Sequence, residues 1–192
     1  MGERGESGQP ALNRAVFLDR DGVINRMFVR DGIPFAPTTL EQFAILPGVV
    51  EAIAALKNTG FRVIVATNQP DVGAGKVARE IVEAMNARVQ QECRVDDVRV
   101  CYHTEVDRCA CRKPKPGLLV DAARDWSLDL RASYMVGDRW RDIVAGHAAG
   151  CRTVLIDYNY SEQKAENPDI VVQSLEEASQ RILSEVKHAG IQ

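Results

Sequence analysis

No apolar run in this 192-residue sequence approaches the length needed to cross a bilayer; the longest are short pieces such as Val63–Ala66. Met1–Pro10 lacks the apolar centre of a secretion signal, so a cytoplasmic protein with no membrane partner is expected. Charge of one sign is lacking too. Lys and Arg number 24 against 27 Asp and Glu, a net −3, which argues against nucleic acid as a partner. An anionic substrate must then be held by local donors. Internal repeats and low-complexity segments are absent, which excludes a solenoid. Five cysteines in a reducing compartment do not make a disulfide framework.

Hydrophobic residues at 45% and charged residues at 27% suit one soluble domain. It is expected over 14–192 as a monomer, after a disordered tail at 1–13. Ala15–Leu18, Phe61–Ala66, Val98–Tyr102, Ser133–Val136, Thr153–Ile156 and Ile170–Val172 read as short apolar strands. Helical spacing lies between them. Val49, Ile53 and Leu56 mark a helix opened by Pro47-Gly48, and Lys76–Glu92 carries Val77, Ile81, Met85 and Val89. Pro116–Trp126, Asp142–Ala149 and about Leu175–Lys187 follow. Asn25–Leu46 reads as a long flap with little regular structure. Alternating strands and helices predict an α/β fold, a Rossmann-like three-layer sandwich with a mainly parallel sheet and no large cap domain.

Ligands in such sheets bind beyond the carboxyl ends of the strands, and the chemistry-bearing residues fall there. Asp19 and Asp21 follow the first strand, Thr67 and Asn68 the second, and Asp138 a later one; Arg112 and Lys113 lie in the loop after the third. Two carboxylates at a strand end can divide the labour of attack on phosphorus and proton transfer. Asp-Gly at 21–22 also suits a plain surface turn. Asp138 offers a hard oxygen ligand for Mg²⁺, with Asp142 one helical turn on as a water-mediated neighbour; Asp138 could equally cap the helix that begins here. Thr67 and Lys113 supply a hydroxyl and an ammonium for a transferring phosphoryl group.

Four segments in order carry a resemblance: FLDRDGVIN at 17–25, VIVATNQ at 63–69, CRKPKPG at 111–117 and MVGDRWRD at 135–142. The chain resembles the haloacid dehalogenase superfamily of Mg²⁺-dependent phosphatases. That resemblance implies Asp19 as nucleophile, Asp21 as general acid and base, and Thr67 and Lys113 as stabilisers of the phosphoryl group. It also implies Mg²⁺ on Asp19, Asp138 and the Asp21 backbone carbonyl, with a small sugar phosphate as substrate.

Cys101 and His103, then Cys109 and Cys111, offer three thiolates and an imidazole within eleven residues, a closed structural Zn²⁺ set. This zinc-stapled loop, running into Arg112-Lys113-Pro114, resembles one subgroup in particular. It holds the D-glycero-D-manno-heptose 1,7-bisphosphate 7-phosphatases and the related histidinol-phosphate phosphatases. Arg112 would then recognise the substrate, aided by Asn25 and Asn68. A histidinol-phosphate phosphatase and a non-catalytic zinc-stabilised binding module are the alternatives.

Overall fold

A computed structural model describes residues 13–189. The tail expected over 1–13 lies, Asn13 excepted, outside the described residues. Six strands form one parallel sheet: β1 (Ala15–Leu18), β4 (Arg62–Asn68), β5 (Asp97–Cys101), β6 (Tyr134–Gly137), β7 (Arg152–Ile156) and β8 (Ile170–Val172). Their order is β5-β4-β1-β6-β7-β8. The chain fills one side of β1 first and then crosses to the other, so β1 lies at the switch point where such sheets bind ligands.

Strand alternation builds two cores. Val16 and Leu18 point to one face with Val63, Val65 and Val136, whereas Ala15 and Phe17 point to the other with Ile64, Ala66 and Met135. The first face is covered by α1 (Val49–Asn58), α3 (Arg79–Cys93) and α6 (Leu175–Ala189), and the second by α4 (Gly117–Trp126) and α5 (Trp140–Ala149). Burial on both faces explains why these strands read as continuous apolar runs. Among the described residues, no helix is long and apolar enough to cross a membrane.

The flap differs from expectation. Its first part is an antiparallel hairpin of β2 (Phe28–Arg30) and β3 (Ile33–Phe35), in which Arg30 pairs with Ile33. Asp31 and Gly32 between them both have positive φ, 52° and 76°. That is the two-residue turn that Asp-Gly favours. A short helix, α2 (Pro70–Gly73), follows β4, and α3 starts at Arg79 rather than Lys76. The backbone N–H groups of Lys76 and Val77 are spent on the Asp71 carbonyl, which closes a turn ahead of the helix.

Candidate active site

Asp19 extends the ladder beyond β1, its N–H donating to the Val136 carbonyl at 2.9 Å. The chain then turns tightly, with the N–H groups of Ile24 and Asn25 both donating to the Arg20 carbonyl. Gly22 makes that turn possible. Its φ is +86°, and a Cβ there would sit 2.0 Å from Oδ2 of Asp138. The turn thus presses directly against the loop after β6.

Lys113 reaches the same point from the far side. The Asn68 side chain clamps its backbone in both directions: Nδ2 donates to the Lys113 carbonyl at 2.9 Å, and Oδ1 accepts from the Lys113 N–H at 3.1 Å. Asn68 was expected at the substrate; it lines the pocket, but its amide is spent on holding this lysine. Nζ of Lys113, almost wholly buried, lies 3.0 Å from Oδ1 of Asp19 and 2.6 Å from Oδ1 of Asp142. Asp142, expected beside a metal through water, also serves with Asp19 as a counter-ion of the lysine. Its second oxygen accepts from the Arg139 N–H at 3.1 Å, so Arg139, not Asp138, occupies the cap of α5.

Asp19, Asp138 and Asp142 each bring an oxygen within 4.8 Å of the others. Two of them, Asp19 and Asp142, share the Lys113 ammonium, and Asp138 has no ion pair with it. Burial raises the Asp19 carboxyl to about 6, against the pull of Lys113 and with help from Asp142 and Asp21. Burial, then Asp142 and Asp19, holds Asp138 well above the ordinary range. The Tyr160 hydroxyl pulls the other way, yet among the described residues no cationic side chain pairs with either buried Asp138 oxygen. A buried carboxylate left without a cation is costly, and an all-oxygen cluster of acids fits a hard cation such as Mg²⁺.

Asp21 is tied down separately. Fully buried Arg20 donates through Nη2 to both its oxygens at 3.1 and 3.0 Å, and through Nη1 to Asn86 at 2.9 Å. Gln69 donates to Asp21 Oδ2 at 2.6 Å and to the Thr67 hydroxyl at 3.0 Å, which leaves the Thr67 proton for another acceptor. Asn25 was expected at the substrate; it is fully buried and donates to Asp21 Oδ1 at 3.0 Å instead. It props an acid. Arg20, Gln69, Arg139 and Arg141 were not singled out from the sequence. The signals were modest: an arginine flanked by two acids, an amide two residues past Thr67, and two arginines flanking Trp140.

A pocket of about 180 Å³ opens over Asp19, Asp21 and Lys113 and is walled by Arg112, Arg139 and Arg141. Hairpin residues Pro34 and Phe35 form its other wall.

Behind Arg112 lies the sulfur cluster. Cys111 Sγ is 3.2 Å from Cys101 Sγ and 3.4 Å from Cys109 Sγ, and His103 Nδ1 is 3.6 and 3.3 Å from the first and last of the three thiols in sequence. These separations are too long for a disulfide. They approach the edges of a tetrahedron around Zn²⁺, about 3.8 Å for S–S and about 3.5 Å for N–S given ordinary bond lengths. The donor set fits. Arg112 is seated on this loop, its N–H donating to Cys109 Sγ at 3.4 Å and its Nη1 to the His103 carbonyl at 3.3 Å.

The family profile described as HAD-hydrolase-like matches residues 110–178. A D-glycero-beta-D-manno-heptose-1,7-bisphosphate 7-phosphatase of Pseudomonas putida is 37% identical, over 80% of this chain and 87% of that protein. A D-glycero-alpha-D-manno-heptose-1,7-bisphosphate 7-phosphatase of Burkholderia mallei is 40% identical, over 75% and 79%. The crystal structure of the D,D-heptose 1,7-bisphosphate phosphatase of B. bronchiseptica, complexed with magnesium and phosphate, superposes with a TM-score of 0.74 at 29% identity. It covers 91% of this chain and 99% of its own.

Proposed function

Because the chain belongs to the haloacid dehalogenase superfamily, within the phosphatase subgroup of its heptose-bisphosphate relatives, we propose that it removes the C7 phosphate of D-glycero-D-manno-heptose 1,7-bisphosphate through a covalent aspartyl-phosphate on Asp19. One observation carries this reading: Asp19 and Lys113 are paired at the floor of a pocket with a basic wall, next to a buried Asp138 that no cationic side chain neutralises among the described residues.

In the first half-reaction an Asp19 oxygen forms a bond to phosphorus as the bond from phosphorus to the C7 oxygen breaks. Asp21 gives that leaving oxygen its proton. In the second half, Asp21 takes a proton from water, the water oxygen bonds to phosphorus, and the acyl-phosphate bond breaks to restore Asp19. Lys113 and the Thr67 hydroxyl face the charge on the other phosphoryl oxygens, and Asn68 keeps the lysine backbone in place. Asp19, Asp138 and the Asp21 carbonyl would hold Mg²⁺, which when bound neutralises charge on the phosphoryl group. The Cys101, His103, Cys109 and Cys111 set would hold a structural Zn²⁺ that fixes the loop carrying Arg112.

The test compares kcat/KM on heptose 1,7-bisphosphate and on histidinol phosphate with Mg²⁺ present. The reading predicts a preference of at least about a hundredfold for the bisphosphate; a preference for histidinol phosphate would reverse the assignment.

A further inference from the structure

Three guanidiniums wall the pocket, and they are not equivalent. Arg139 is spoken for: its Nε donates to Glu162 Oε1 at 2.8 Å and its Nη2 to the second oxygen, so its charge is matched. Arg112 and Arg141 are half-buried, and neither has a carboxylate within ion-pair distance among the described residues, Glu162 and Glu105 acting on Arg141 only from farther off. Burial, then the neighbouring charges of Arg139 and Arg112, depresses the proton affinity of Arg141. Like charges are therefore crowded at this wall, a situation that a bound dianion relieves.

Arg141 is also held in place. It lies on the first turn of α5, with its guanidinium stacked 4.9 Å from the ring centroid of Trp140. A second cavity, of about 270 Å³, opens on this side of the molecule. It shares Arg112, Lys113 and Arg141 with the first, adds Trp140 and Thr104, and contains none of the acids of the Asp19 cluster. The two unmatched guanidiniums thus stand between a hollow where phosphate can react and a hollow where it cannot.

We propose that Arg141 is a specificity-determining residue that grips, together with Arg112, a second and non-reacting phosphate on the substrate. This rests on the phosphatase reading above and deepens it: a molecule whose reacting end lies over Asp19 would extend its other anionic end across the Arg112 and Arg141 pair. Planar forks from two directions suit a phosphate better than they suit a sugar hydroxyl.

The experiment uses the enzyme with both metals and two substrates differing only in the distal group, heptose 1,7-bisphosphate and heptose 7-phosphate. Arg141→Gln should raise KM for the bisphosphate about 10- to 100-fold with kcat within about threefold, and leave kcat/KM for the monophosphate within about threefold. Arg141→Lys, which keeps the charge but not the fork, should fall between wild type and Arg141→Gln. It carries the same comparison should the glutamine variant fail to fold. Equal losses on both substrates, or no loss on the bisphosphate, would overturn the proposal. If the wild type turns over neither heptose, the substrate assignment fails on its own. The role of Arg141 is then judged on fructose 1,6-bisphosphate against fructose 6-phosphate, where again a loss confined to the bisphosphate supports it and any other pattern overturns it.

Discussion

Cys101, His103, Cys109 and Cys111 meet after only a few residues of chain, whereas Asp19, Asp138 and Asp142 meet only because β1 and β6 lie side by side in the sheet. The first set is soft, complete in itself and close in sequence, so a cation there would act on the loop it closes. The second is hard, crowded with like charge and dependent on the whole fold. What it costs in stability in the absence of a cation is what prepares it for one. The contrast predicts that damage to the two places will be read out in different measurements.

The largest effect should come from the acid cluster and be confined to activity. Asp19→Asn should lower turnover at least about a thousandfold. Its melting temperature without Mg²⁺ should be unchanged or higher, since a buried acid pushed up to about 6 is relieved of its charge. Calorimetry and a phosphate-release assay check both halves; a marked loss of stability would blur the contrast.

Cys111→Ser should behave in the opposite way. We expect loss of the bound zinc, a destabilisation of more than about 3 kcal/mol, and a secondary fall in kcat/KM of about tenfold as Arg112 loses its seat. Zinc analysis and denaturant unfolding measure this. A zinc-free variant of full stability would mean that the loop needs no metal.

A smaller effect sharpens the comparison through pH. An acid raised in the folded state holds its proton where the unfolded chain has lost it. The metal-free protein should therefore lose stability as pH rises from about 3.8 towards 6, and lose no more from Asp19 above that. Mg²⁺ must displace this proton, so its apparent affinity should weaken about tenfold per pH unit below pH 6. Titration calorimetry between pH 5 and 8 should follow that slope; a flat profile would mean that Asp19 is not a ligand.

How far the sequence revealed all this depended on the range of the interaction. The parallel sheet was visible because strands buried on both faces leave unbroken apolar runs, as in Val63–Ala66. The Cys and His cluster was visible because its spacing is local. The Asp31-Gly32 turn was equally local, a two-residue hairpin signal inside a stretch read as irregular flap. Arg20 was hidden for a different reason. A charged residue among polar neighbours reads as solvated, and nothing nearby announces Asn86 on α3 as its distant acceptor. Asn25 was expected at the substrate only through the subgroup resemblance, and the tight turn folds it inward beneath Asp21.

The most direct measurement of the central claim is to acid-quench the enzyme early in turnover with Mg²⁺ and map its phosphorylation by mass spectrometry. The account predicts a phosphoryl group on the peptide containing Asp19, absent after Asp19→Asn. Phosphate carried on another residue, or full turnover by Asp19→Asn, would contradict it.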